Sequence, residues 1–498
     1  MSHRHHATAT TSPLFVTRSS GRAARTAARS KLARVNPAGD RGTAAPLPTP
    51  LPPPAHPSGG RSGATSARAG RLKLPAHRLT TAVAGAAYPF LAEGGLGGDG
   101  VYVGRDVHAE ASFAYDPFTL YGQLDGFTNP NILLAGVIGQ GKSALAKSLA
   151  LRSTAFGHRV YVPCDPKGEW TDVAAAAGGT SIALGPGLPQ RLNPLDAAPR
   201  PPSVAPADWA GHVRSRRLLL LSSLARAVLR RDLLPMEHTA LYVALDSAVA
   251  QAEHAGRAPL LVDVTSLLTG KQLNRAGEPG YLADAARDLA HSLSRLIRGD
   301  LAGMFDAPST VRFDTSAPML TIDLSGLGST GDDTALVLAM TCASAWMEAA
   351  LADPRGGQRW IIYDEAWRLM RHTSLLERMQ AQWKLSRSFG IANLAVIHRL
   401  SDLLSAGDAG SRGRALAEGL LADCSTRVIY RQEPDQLAPA ADLLGLTTVE
   451  SDAISHLRRG RGLWKIAERS FVVQHHLHPA EAELFDTDAR MHTPHRAT

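Results

Sequence analysis

The residues best suited to chemistry are Gly136, Val137, Ile138, Gly139, Gln140, Gly141, Lys142 and Ser143, in that order. Three glycines let a backbone wrap closely, so that successive N–H groups face anionic oxygens. A helix starting at the end of the run adds a favourable partial positive charge. Lys142 brings the charge that neutralises β- and γ-phosphates, and the Ser143 hydroxyl is a ligand for Mg2+. Binding of a nucleoside triphosphate is the chemistry such a set performs. A second set, Asp364-Glu365, lies 221 residues beyond Ser143. Asp364 is suited to hold Mg2+ through water, and Glu365 to orient and deprotonate an attacking water.

Both sets need elements to position them. Asn131 to Ala135 is a short apolar run that predicts a buried strand ahead of the glycines. Leu145 and Leu149 fall at helical spacing after them, with no breaker up to Arg152. Strand, glycine loop and helix is the context that a phosphate-binding loop demands. Trp360-Ile361-Ile362-Tyr363 predicts a buried parallel strand ending at the two acids. In open α/β sheets, ligands sit at the carboxyl ends of strands. The expected core strands are 131–135, 159–164, 319–324, 359–363, 392–397 and 426–431. No strand is expected between 198 and 305. That stretch opens with Pro199, Pro201, Pro202 and Pro206 and then turns helical over 218–229, 237–250 and 281–297.

Composition sorts the remainder. The first 80 residues carry thirteen Lys or Arg against one acid, Asp40, whereas the other 418 carry forty bases against forty-four acids. Seven prolines between Pro46 and Pro57, with almost no large apolar residues, predict a disordered basic tail over 1–75. Its charge suits loose contact with nucleic acid or an anionic surface, or a plain solvated tail. The glycines from Gly94 to Gly100 read as turn formers before Val101-Tyr102-Val103. Cys164, Cys342 and Cys424 are too few and too far apart for a disulfide framework, which fits a reducing cytoplasm. No run is long and apolar enough for a membrane span, and no secretory signal is visible. Near the C-terminus, 458–465 and 470–475 read as a β-hairpin, either a solvated edge or a surface for nucleic acid. His476 and His478 share a strand face but lack a third ligand for a metal.

The motifs taken together resemble the type IV secretion and conjugative-transfer ATPases, the TraC kind, within the HerA/FtsK group of P-loop motors. The resemblance rests on the glycine loop, on Asp165-Pro166-Lys167-Gly168-Glu169-Trp170, on Asn193-Pro194-Leu195-Asp196 and on Asp364-Glu365-Ala366-Trp367. Gly303-Met304-Phe305-Asp306, Ile322-Asp323-Leu324-Ser325 and the closing Arg427-Val428-Ile429-Tyr430-Arg431-Gln432 also fit. It spans about residues 85–490. There are two departures. The strand after the acids ends in His398, where the family usually places a glutamine that senses the γ-phosphate. In place of the family's large N-terminal domain stand the tail and about 50 residues of β-like sequence.

The resemblance implies an α/β P-loop NTPase with a RecA-like, mostly parallel sheet and an inserted all-helical subdomain. The expected divisions are a tail at 1–75, a β-rich lead-in at 76–130, ATPase parts at 131–198 and 306–490, and the helical insertion at 199–305. It implies an ATP- and Mg2+-dependent hydrolase working as a homo-hexamer, docked on conjugation or secretion components at the inner face of the cell membrane. A DNA-translocating coupling motor and a nucleotide-gated scaffold with little turnover are the alternatives. Lys142, Asp364, Glu365 and His398 are the expected catalytic set. Arg431 heads the arginines expected to reach a neighbouring subunit's nucleotide, ahead of Arg387, Arg412, Arg414 and Arg427. Lys167 and Glu169 are expected either to couple nucleotide state to the sheet or to cap the turn they share.

Overall fold

Alternation of side chains along each apolar run sets which layer each residue joins. In the strand Ile132–Ala135, Leu133 and Ala135 enter one core and Ile132 and Leu134 the other. In Arg359–Tyr363 the same split separates Ile361 and Tyr363 from Trp360 and Ile362. Strands that bury both faces in this way belong inside a sheet covered on both sides. The computed structural model describes residues 96–197, 200–202, 204–269, 281–327, 333–351, 356–398 and 411–486. The expected tail at 1–75 lies outside them.

One eleven-stranded sheet organises these residues. Its strands are β1 Val101–Asp106, β2 Ser112–Tyr115, β3 Ile132–Ala135, β4 Arg159–Asp165, β5 Thr180–Ala183 and β6 Met319–Asp323. β7 Arg359–Tyr363, β8 Ile391–Ile397, β9 Thr426–Ile429, β10 Arg461–Ile466 and β11 Arg469–His475 complete it. The order is β2-β1-β11-β10-β9-β3-β8-β7-β4-β6-β5. From β9 to β5 every pairing is parallel, and from β9 outward through β10, β11, β1 and β2 every pairing is antiparallel. This is the expected α/β, RecA-like, mostly parallel architecture. β5, unforeseen from the sequence, forms one edge. The lead-in strands β1 and β2 extend the same sheet beyond the C-terminal hairpin. β9 ends at Ile429, two residues short of Arg431, where the sequence pattern had placed the arginine on the strand.

β3 lies inside the sheet, between β9 on one flank and β8 on the other. Registers bring Ala135 opposite Ile397, and Tyr363 opposite Ala395. The segments following β3, β8 and β7 therefore emerge side by side at the carboxyl ends of these parallel strands.

Between β5 and β6 the described residues hold four helices, Pro206–Leu229, Pro235–His254, Leu261–Thr269 and Tyr281–Arg298, and no strand. The short Leu261–Thr269 helix escaped the sequence reading. The root of this insertion is pinned by the Asn193-Pro194-Leu195-Asp196 segment. Asn193 is fully buried; its Nδ2 donates to Asp196 Oδ1 at 2.8 Å and to Pro259 O at 3.0 Å. Ser309 Oγ donates to Asp196 Oδ2 at 2.6 Å, and Leu192 N donates to Met304 O at 2.9 Å. Entry and exit of the insertion are thus stitched together by buried polar groups, each of which would be costly to leave unpaired.

Candidate functional site

Residues 136–141 connect β3 to the helix Lys142–Thr154. A Cβ on Gly136 would lie 2.5 Å from Tyr430 Cβ, so no side chain fits there. Gly139 and Gly141 adopt φ of +79° and +100°, a region that only glycine enters cheaply. Gly141 caps the helix without a side-chain bond, and the first turn carries no acid. The N–H groups and positive dipole end of this helix are therefore not capped by a side chain of its own first turn. Val137 N donates to Arg431 O at 3.1 Å, Ile138 is exposed at the tip, and Gln140 O accepts from Gly460 N at 2.9 Å. The Lys142 ammonium is buried, with Nζ donating to Val137 O at 3.0 Å. Ser143, half-buried, follows on the same turn. A loop of this shape fits a polyphosphate, and Ser143 with Asp364 fits Mg2+, which takes few protein ligands alongside phosphate and water.

The acids stand across β8. Asp364 is buried; its Oδ2 accepts from Trp170 Nε1 at 3.0 Å and its Oδ1 from Glu365 N at 3.1 Å. Burial raises its pKa, and the nearby Glu365 and Glu169 charges add to that. Glu365 adopts φ +59°, the left-handed region that is strained for a side-chain-bearing residue. Lys167 Nζ lies 2.5 Å from Glu365 Oε1, and Trp367 Nε1 donates to Oε2 at 2.5 Å. His398 Nε2 sits 3.1 Å from Oε1 and 2.9 Å from Oε2. Burial opposes the charge on Glu365, but the hydrogen bonds from His398 and Lys167 outweigh it. They hold the carboxyl far below the usual carboxylate range. Three groups, Lys167, Trp367 and His398, share the two oxygens, the one His398 nitrogen standing within reach of both, against about four acceptor positions in all.

The turn Asp165–Trp170 supplies much of this frame. Asp165 Oδ1 accepts from Lys167 N at 3.2 Å and Oδ2 from Trp170 N at 2.7 Å. Gly168 has φ +71°, and a Cβ on it would come 3.1 Å from Ser325 Oγ. Burial pushes the Asp165 carboxyl up to about 6 against its backbone donors. Lys167 and Glu169 take separate partners. Lys167 reaches Glu365, while Glu169 Oε2 accepts from Lys147 Nζ at 2.9 Å. Lys147, on the helix that follows the phosphate loop, is itself buried. The turn after β4 therefore touches both the acid and that helix.

The structure brings Lys142, Ser143, Asp364, Glu365 and His398 to the carboxyl ends of the central strands β3, β7 and β8. The Arg431 carbonyl braces Val137 of its own phosphate loop. That bond is made by the main chain and leaves the role expected of the Arg431 side chain as it stood. Arg412 pairs with Glu377 at 2.8 Å and Arg414 with Glu418 at 3.0 Å; Arg387 and Arg427 donate to backbone carbonyls. Lys147, Trp170 and Trp367 were missed as site residues. The two tryptophans end the motifs that carry the acids, and that adjacency was the available signal. Among the described residues no His, Cys, Asp and Glu group has the makings of a metal cluster, so His476 and His478 gain no third ligand.

These elements define a P-loop NTPase fold of the RecA-like kind. Solved structures with the same fold include VirB4 of Thermoanaerobacter pseudethanolicus, at TM-score 0.63 and 21% identity, covering 78% of this chain and 100% of that one. The plasmid coupling protein TrwB in complex with ADP and Mg2+ superposes at TM-score 0.51 and 17% identity, covering 77% of this chain and 90% of that one. TrwB with the non-hydrolysable ATP analogue ADPNP gives TM-score 0.52 at the same identity and coverage. No protein-family model and no curated protein matches the chain in sequence.

Proposed function

We propose that the chain is a Mg2+-dependent ATPase that powers transfer of DNA or protein at a conjugation or type IV secretion system. The observation that carries the reading is the meeting of a phosphate-shaped loop and a buried acid pair at the carboxyl ends of β3 and β7, one strand apart across β8. The likeness to VirB4 and to nucleotide-bound TrwB supports it. In this reading the loop 136–141 and the helix end bind the β- and γ-phosphates, and Lys142 neutralises their charge. Ser143 and Asp364 hold Mg2+, which supplies further charge neutralisation on the phosphates. Glu365 orients the attacking water and takes its proton. With three groups crowded on Glu365, water has at most one acceptor position until a partner withdraws. Lys167 is the partner to leave, because half of its side chain is already exposed. The resting chain is therefore a slow hydrolase, and Lys167 links turnover to movement of the turn after β4.

The chain works as a ring, in this reading a homo-hexamer, in the cytoplasm at the inner face of the membrane with secretion components as partners. No helix among the described residues is long and apolar enough to cross a membrane. Steady-state ATP hydrolysis by the full chain tests the reading, with and without single- or double-stranded DNA, at low and high salt. Stimulation by DNA that salt abolishes identifies the DNA-pumping form of the motor. Turnover indifferent to DNA but dependent on Glu365 identifies the secretion form. No turnover under any of these conditions, with nucleotide still bound, leaves the gated scaffold.

A further inference from the structure

The two flanks of β3 are unequal. On one side, across β8, stand Asp364 and Glu365. A γ-phosphate attacked by water must face those acids. The α-phosphate, ribose and base then extend the other way, over β9 and β10. The turn leading into β10 lies against the phosphate loop on that flank. Gly460 N donates to Gln140 O at 2.9 Å, and a methyl on Gly141 would lie only 3.8 Å from Gly460 Cα. The turn is held from behind. Gly460 O accepts from His475 N at 2.8 Å, and Gln474 Oε1 accepts from Arg461 Nε at 2.8 Å. Gly460 has φ +77°, and a Cβ on it would meet Gln474 Nε2 at 3.0 Å, so the close approach is built around a glycine.

Arg458 and Arg459 precede this glycine. Both are exposed, and neither has a side-chain partner among the described residues, whereas Arg461 is committed to Gln474. Two adjacent guanidinium groups without a partner sit one and two residues from a backbone bond to the phosphate loop. Guanidinium is suited to this place, because it binds phosphate through paired donors and stacks on planar rings.

We infer that the Arg458-Arg459-Gly460 turn is the second wall of the nucleotide site, its arginines gripping the α-phosphate and nucleoside half of the chain's own nucleotide. This rests on the proposed nucleotide-binding function and adds the residues that recognise more than a phosphate chain. It also gives the C-terminal hairpin a role, since the hairpin carries the turn.

Isothermal titration of the full chain tests it with three probes: Mg-ADP, Mg-ADPNP and inorganic tripolyphosphate with Mg2+. The Arg458→Ala/Arg459→Ala variant, altered only at exposed positions, is expected to lose affinity for ADP and ADPNP by roughly tenfold or more. Tripolyphosphate affinity is expected to fall by clearly less than that of the nucleotides, because that ligand shares the α-phosphate contact but has no ribose or base. Unchanged ADP affinity overturns the inference. So does an equal or larger loss for tripolyphosphate, which marks a general electrostatic effect. Lys142→Ala separates the two levels of the account. If it leaves all three probes binding as wild type does, the phosphate-loop reading fails, whatever the arginine variant does.

Discussion

The two halves of the site are prepared in opposite ways. Around β3 the protein has kept the loop open: glycines at 139 and 141 with positive φ, a first helical turn with no acidic side chain, and a buried lysine resting on a carbonyl of the same loop. Around β7 the protein has filled space, with Glu365 strained in backbone and taken up by Lys167, His398 and Trp367. One half is ready for an anion before it arrives. The other keeps its own anion satisfied until something draws a partner away. In the proposed function, binding is pre-organised and turnover is conditional, as a motor that spares its fuel while idle would require.

The largest effect falls on the open half. Lys142→Ala removes the buried lysine that follows the glycines, and nucleotide affinity is expected to drop by about 100- to 1000-fold, read by titration with Mg-ADPNP. Affinity within a few-fold of wild type would break the comparison at its firmer side.

The next effect concerns the frame behind the filled half. The folded-state pKa of Asp165 is raised from 3.8 to about 6, so folding favours its protonated form. The stabilisation this gives is fully present below pH 3.8 and is lost as pH rises through 6. Asp165→Asn cannot titrate. Its melting temperature relative to wild type should therefore climb between pH 4 and pH 6 and then level off. The span is worth about 3 kcal/mol for a shift of roughly two units. A flat difference across that range would mean Asp165 stays ionised in the fold.

The smallest effect separates restraint from support. If Lys167 blocks a water position, Lys167→Ala should raise basal hydrolysis roughly fivefold, the rate equivalent of about 1 kcal/mol. A fall instead would show that Lys167 positions Glu365 for the reaction, and the resting half would then be assembled, not restrained.

Much of this was legible in the sequence because the motifs are local. A phosphate loop is eight consecutive residues, and the strand and helix that flank it carry their own periodicity. The same holds for Trp360 to Glu365. What could not be read was the pairing between distant motifs. Nothing in Asp165-Pro166-Lys167-Gly168-Glu169-Trp170 tells that Lys167 meets Glu365 while Glu169 turns to Lys147. That depends on β4 lying beside β7, with the helix 142–154 packed over one face. β5 was missed because Thr180–Ala183 is a short edge strand with only Ile182 fully buried. Arg431 was misplaced because β9 stops at Ile429, and the chain beyond it turns back onto its own phosphate loop.

The central claim is that Glu365 activates the water that attacks a bound triphosphate. The most direct measurement compares wild type and Glu365→Gln for both Mg-ADPNP affinity and steady-state ATP hydrolysis under the condition of highest wild-type turnover. The account predicts affinity at or above wild type and turnover lower by about 100-fold or more, the usual contribution of a general base. Turnover within a few-fold of wild type, with binding intact, would contradict it.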